Sequence, residues 1–163
     1  MKKKVGIPRA LFYYKYHMLW KRFLEELGAE VVPSGFTNKK ILNDGVSICT
    51  DEACLPVKVF CGHAAALAEK VDYLFIPRLT SISRGEYVCP ELGGLPDIIR
   101  HTIKNPPPII DVEVNLRKSG RNSFHAAKEV AGYFTNDKGL VKKAYSKAVD
   151  EYRHSKISMP AIN

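Results

Sequence analysis

Two of the four cysteines in this chain are followed within two residues by a proline, at places where the chain has just turned. Cys54 precedes Leu55-Pro56, and Cys89 precedes Pro90. Because proline is favoured in the first turn of a helix, Cys54 is predicted to lie at a helix start, where unpaired backbone N–H groups and the helix dipole favour a thiolate. A thiolate is the form of cysteine that binds metals. We therefore predict that Cys54 and Cys89 face one metal site, the alternative being that each is buried in a turn.

The other two cysteines have patterns that favour packing. Cys61 belongs to an apolar stripe at helical spacing, formed by Val57, Cys61, Ala64, Ala68 and Val71. Cys49 shares a similar stripe with Leu42, Gly45 and Val46. Its closeness to Cys54 in the sequence keeps Cys49 as a candidate third ligand. The spacing of the four cysteines matches neither a zinc ribbon nor a ferredoxin pattern.

Three basic residues are candidates to bind a cofactor. Arg9 and Arg78 each follow a proline that ends a predicted strand, and Lys58 follows Cys54 within the same segment. We predict that these cations stabilise an anionic cluster or a phosphate, although each could equally be a surface charge. The net charge of +8 would also suit nucleic acid or an acidic partner. No basic stripe interleaves with aromatic residues, so nucleic acid is not expected.

Strand and helix patterns alternate along the chain and must position these residues. Strands are predicted near 4–8, 30–34, 72–78 and 109–112, and helices near 11–27, 38–49, 56–70, 95–103 and, as two pieces, 123–156. Alternation of this kind predicts an α/β fold with a parallel sheet of about four strands and helices on both faces, in three layers. In such sheets ligands bind beyond the carboxyl ends of the strands.

Length and composition are those of an ordinary globular protein. The 163 residues favour a single domain, 1–163, with an α/β core over 4–122 and helices over 123–157 packed on it. No apolar run reaches the roughly 20 residues of a membrane span, and the amino terminus does not read as a signal peptide. We therefore expect a cytoplasmic protein, in which cysteines serve as ligands, catalytic thiols or core residues rather than disulfides.

Several motifs, taken in order, carry a resemblance to a known family. They are Val5-Gly6-Ile7-Pro8-Arg9-Ala10-Leu11, the segments 20–28 and 37–42, Asp51-Glu52-Ala53-Cys54-Leu55-Pro56-Val57-Lys58, Gly62-His63, the segment 71–78, and Tyr87-Val88-Cys89-Pro90. Over residues 4–100 the chain resembles the activase-related domain of the 2-hydroxyacyl-CoA dehydratase and benzoyl-CoA reductase superfamily, also catalogued as a domain of unknown function. The helical C-terminal third is similar only in general character.

The resemblance implies a flavodoxin-like or Rossmann-like αβα fold and an iron–sulfur cluster, [4Fe-4S] or related, held by Cys54 and Cys89. It also implies a redox module that takes part in low-potential electron transfer from an ATP-dependent activase to a CoA thioester. Two ligands do not complete such a cluster, so the others would come from a second protomer, a partner subunit, Cys49 or solvent.

The alternative is a non-catalytic interaction or assembly domain for a dehydratase or its activase. Its cysteines would then be packing residues or would form a structural metal site. The sequence contains no evident complete active site, so enzymatic activity is left open.

Overall fold

The computed structural model describes residues 2–83, 86–115 and 119–157. Its central feature is a parallel sheet with the strand order β2-β1-β3-β6. These strands are β1 (Lys4–Ile7), β2 (Glu30–Pro33), β3 (Tyr73–Phe75) and β6 (Ile109–Ile110). The helices are α1 (Tyr13–Glu26), α2 (Lys39–Ile48), α3 (Leu55–Ala68), α4 (Pro90–Gly93), α5 (Leu95–Thr102), α6 (Ser119–Ala131) and α7 (Lys138–Ile157).

Helices cover both faces of this sheet, because successive strand residues point to opposite sides. Leu74 and Ile109 pack into a cluster with α3 and α5. Their neighbours Phe75 and Ile110 pack into a second cluster with α1, α6 and α7. The predicted three-layer α/β fold with a four-stranded parallel sheet and a helical C-terminal region is therefore confirmed.

Local signals set the ends of the first two helices. Gly28 follows α1 with a φ of 88°, which glycine adopts without the steric cost that a side chain would bring. Its N–H donates to the carbonyl of Glu25 at 3.0 Å, and the next N–H, of Ala29, donates to that of Leu24 at 3.0 Å, which closes a Schellman motif. Asn38 caps α2 by accepting a hydrogen bond from the Ile41 N–H at 3.0 Å.

Two glycines allow α2 and α3 to pack at unusually close range. A Cβ atom on Gly45 would collide with the backbone carbonyl of Lys58, and one on Gly62 would collide with that of Ile41. Each glycine thus faces the backbone of the other helix. This contact fixes α3, which carries Cys54 at its start.

A second, smaller sheet departs from the sequence prediction. Pro77-Arg78 was expected to end a strand and begin a loop, but Arg78 instead begins β4 (Arg78–Ser83). β4 pairs in parallel with β7 (Glu113–Asn115) and antiparallel with β5 (Glu86–Tyr87). Hydrogen bonds between the two segments continue past Pro77, since the Ile76 N–H donates to the Ile110 carbonyl at 3.1 Å and the Arg78 N–H donates to the Val112 carbonyl at 3.0 Å. The strand predicted over 109–112 is shorter than expected, since β6 ends at Ile110.

The C-terminal helices α6 and α7 contribute to the hydrophobic cluster that contains Phe75 and Ile110 of the central sheet. α6 begins at Ser119, within the segment that the sequence assigned to the core. No helix in the part of the chain that the structure describes is both long and apolar enough to cross a membrane.

Candidate functional site

Cys54 and Cys89 each lie immediately before a helix, as predicted for Cys54. Cys54 is the N-cap residue of α3, with Pro56 in the first turn, and Cys89 is the N-cap residue of α4, which begins at Pro90. Both thiols are free and exposed. Since α3 ends just before β3 begins, its start lies at the carboxyl edge of the parallel sheet, the edge where ligands bind in such folds.

Glu91 joins these two helix starts. Its Oε2 accepts a long hydrogen bond, 3.4 Å, from the backbone N–H of Cys54. A hydrogen bond between this carboxylate and the Cys54 thiol raises the pKa of Cys54, and the negative charge of Glu91 acts in the same direction. The predicted effect of the helix start is present, because a hydrogen bond from the Val57 N–H lowers the pKa of Cys54. The effect of Glu91 on this pKa is larger and opposite. The expectation that this position favours a thiolate was therefore wrong for the chain alone.

The remaining two cysteines pack together in the core. Cys49 and Cys61 are buried, and their sulfur atoms lie 3.5 Å apart. Burial first, and then the hydrogen bond with Cys49, raises the pKa of Cys61 to about 12. The packing role predicted for Cys61 is confirmed. The ligand role of Cys49 stays a prediction, and its thiol contacts Cys61 in the present arrangement.

The donor set of this chain fits only part of a cluster site. Among residues 2–83, 86–115 and 119–157, no group of three or more His, Cys, Asp or Glu side chains is arranged to hold a metal ion. Cys54 and Cys89 are two thiolate donors, whereas a [4Fe-4S] cluster takes four. The structure therefore offers two exposed thiols, which are fewer donors than such a cluster takes.

Arg78, a predicted cofactor ligand, is held in an ion-pair network. Its guanidinium donates to Asp97 at 2.8 Å and to the carbonyl of Gly93 at 3.0 Å. Arg100 donates to Asp97 at 2.8 Å and to Asp111 at 2.7 Å. The hydrogen bond from Arg78 and its positive charge lower the pKa of Asp97. The hydrogen bond and the charge of Arg100 act in the same direction. Because Gly93 ends α4, Arg78 positions the short helix that carries Cys89 and Glu91.

Lys58 supports the other thiol in a similar way. Its Nζ donates to the backbone carbonyl of Asp51 at 3.0 Å. This bond ties the first turn of α3 to the loop that leads into Cys54. The side chain thus holds the chain segment on which Cys54 is presented.

Arg9 lies against aromatic rings at the end of β1. Its guanidinium carbon lies 4.3 Å from the centre of the Phe36 ring and 5.5 Å from that of Tyr13. Its backbone N–H donates to the Ser34 hydroxyl at 2.8 Å. The binding roles predicted for Arg9, Lys58 and Arg78 remain predictions.

A buried histidine, whose partners the sequence did not identify, connects three segments at the same edge. His63 is completely buried, its Nδ1 lies 2.9 Å from the Ser34 hydroxyl, and its Nε2 lies 2.9 Å from the Thr37 hydroxyl. Burial first, and then the charge of Arg9, lowers the pKa of His63. The sequence signal that could have indicated this contact was Ser34, a polar residue directly after β2.

The fold and this site define a class of protein: an α/β domain with a flavodoxin-like strand order that presents two exposed cysteines at one edge. The chain belongs to the family described as CoA enzyme activase uncharacterised domain (DUF2229), whose profile matches residues 4–161. The resemblance seen over residues 4–100 is thereby confirmed, and the match also takes in the C-terminal helices. Searches of curated proteins and of solved structures found no significant match.

Proposed function

We propose that this chain is one half of an iron–sulfur redox module in which Cys54 and Cys89 bind the cluster. The observation that carries the proposal is that both exposed thiols lie at helix starts joined by Glu91. A [4Fe-4S] cluster, when bound, would supply low-potential one-electron transfer. The residues of this chain would hold it: Lys58 and Arg78 keep the two thiol-bearing segments in place through their backbone contacts.

The missing ligands come, in this proposal, from a second protomer or a partner subunit. Two large side chains within two residues of the thiols support a contact there, since Leu55 is 59% exposed and Tyr87 is 73% exposed. Both side chains are accessible for contact with another chain.

The family description supports a place in the activation of CoA enzymes. We infer that an ATP-dependent activase donates the electron and that a CoA thioester or a similar substrate accepts it. The module would act in the cytoplasm, where a reducing environment keeps Cys54 and Cys89 as free thiols.

Anaerobic reconstitution with iron and sulfide tests the cluster assignment. We expect wild-type protein to bind iron and sulfide and to develop broad visible absorption, and a Cys54→Ser/Cys89→Ser variant to lose most of both. The matched control is Cys61→Ala, which removes a buried thiol that is not a ligand candidate and should retain the iron. Equal iron uptake by wild type and the Cys54→Ser/Cys89→Ser variant would show that the assignment is wrong.

A second candidate is a non-catalytic assembly domain for a dehydratase or its activase, without iron. The raised pKa of Cys54 favours it, because a thiol must lose its proton before it can bind a metal. Metal analysis separates the candidates: iron supports the redox module, zinc in aerobically prepared protein supports a structural metal site, and no metal supports the assembly domain. In the last case the Cys54→Ser/Cys89→Ser variant should still bind its partner.

A further inference from the structure

An apolar cavity of about 100 Å³ lies at the carboxyl ends of β1 and β3. Ile7 and Pro8 line it from the end of β1, and Ile76 and Pro77 line it from the end of β3. In the order β2-β1-β3, these two strands flank the point where strand order reverses. Open α/β sheets bind their ligands at this point. Neither Cys54 nor Cys89 lines the cavity, so a ligand bound there would be independent of the proposed cluster.

Aromatic rings from several elements form much of the cavity wall. Trp20 of α1 lies 4.9 Å from the ring of Phe75 on β3, and Phe60 of α3 and Tyr145 of α7 line the same space. The Tyr145 hydroxyl lies 2.6 Å from that of Ser123, so these polar groups are bonded to each other. A buried water needs two to four polar partners, and a largely apolar wall favours an apolar occupant instead.

The route into the cavity passes the loop after β1. Leu11, Phe12 and His17 line both the cavity and an outer groove that extends to Leu92 and Tyr152. Leu11 has a φ of 54°, a left-handed conformation that residues other than glycine keep only where their surroundings impose it. Leu11 and Phe12 of this loop, together with His17 of α1, therefore border both the cavity and the groove.

We propose that this cavity is a binding site for a single neutral aromatic ring, which enters past Leu11. Its aromatic wall offers the offset and edge-to-face contacts that rings prefer, and apolar cavities of roughly 150 Å³ take up benzene. The ring is either a free small molecule or the apolar end of a larger ligand whose polar part lies in the outer groove, near Lys15.

Trp20 is the only tryptophan in the chain and lines the cavity, so its fluorescence reports directly on occupancy. The probe is bromobenzene, whose heavy atom quenches tryptophan on contact. We expect saturable quenching of the full chain, and an affinity at least about tenfold weaker in Ala10→Leu and Leu79→Phe, which fill the cavity. Ser47→Leu on the exposed face of α2 is the control and should bind as wild type does. Thermal melting confirms that each variant is folded.

Linear, non-saturable quenching of the wild type would overturn the proposal. Saturable quenching that persists unchanged in a folded, cavity-filled variant would overturn the location. Equal binding of 1-bromohexane would overturn the preference for a ring. Should both filled variants fail to fold, intermolecular NOEs from toluene to Leu79 and Trp20 of the wild type decide the matter, and their absence counts against the site. A ring compound with an anionic tail should bind more tightly than bromobenzene only if the ligand extends into the groove.

Discussion

Among the groups around Cys54, Glu91 has the largest effect on the pKa of its thiol. The carboxylate hydrogen-bonds the thiol and raises its pKa, although the helix start acts in the opposite direction. Because a thiol must lose its proton to bind a metal, the effect of Glu91 opposes metal binding by the free Cys54 thiol. In the proposed module, Glu91 would suppress reaction of the exposed thiol before the cluster is assembled.

Replacing Glu91 with glutamine tests this control. We expect the pKa of Cys54 to fall, because the anionic neighbour is removed and the lowering effect of the Val57 N–H remains. Alkylation of Cys54 by iodoacetamide at about pH 8 should then be roughly threefold faster, since only the thiolate reacts. Mass spectrometry of peptides follows Cys54 separately from Cys89. Glu52→Gln is the control, and an unchanged rate in Glu91→Gln would contradict the assignment.

At the scale of elements, close packing of α2 on α3 determines where Cys54 is presented. Gly45 and Gly62 each face a backbone carbonyl of the opposite helix, so no side chain can be accommodated without moving a helix. Helix preference alone would favour alanine over glycine at both positions by about 1 kcal/mol. The presence of glycine therefore reflects the helix contact and not the stability of either helix by itself.

We expect Gly62→Ala to lower the free energy of unfolding by about 2 kcal/mol or more, despite the better helix preference of alanine. A backbone carbonyl cannot turn aside as the end of a flexible side chain can. Denaturant titration measures the effect. Asn43→Ala, at an exposed position of α2, should be neutral or slightly stabilising. If Gly62→Ala is as stable as the wild type, α2 and α3 do not pack this closely.

At the scale of the whole molecule, His63 connects the loops after β1 and β2 to α3. Ser34 accepts the backbone N–H of Arg9 and bonds His63, which also bonds Thr37. Because His63 is buried and its pKa is lowered from 6.5, the folded protein resists a proton that the unfolded chain accepts. Its contribution to stability is therefore present above about pH 6.5 and is lost as the pH falls through the lower folded-state pKa.

We expect His63→Gln to lose less stability than the wild type between about pH 7 and 5. Each unit by which folding lowers the pKa of His63 corresponds to about 1.4 kcal/mol of unfolding free energy. Glutamine can still hydrogen-bond but does not titrate. Glu26 and Asp97, whose pKa values are also lowered, affect stability only at more acidic pH. Unfolding free energies across this range provide the measurement, with the exposed His101→Gln as control. An equally steep loss in both variants would exclude His63 as the source.

Local features of this protein were determined by the sequence itself. The alternation of strands and helices, the cap at Asn38, the glycine after α1 and the helix start at Cys54 all follow from residues within a few positions of one another. Hydrogen bonds and steric limits of the backbone act over that range, so the pattern predicts them. The second sheet was missed because strand pairing joins residues far apart in the chain.

Only the tertiary structure decided how the candidate site is composed. Glu91 lies 37 residues from Cys54, Arg78 binds the end of α4, and His63 finds its partners on a distant loop. The cavity at the carboxyl ends of β1 and β3 likewise exists only after several helices have packed. Such contacts depend on how the elements fit together in space, which periodicity along the chain does not encode.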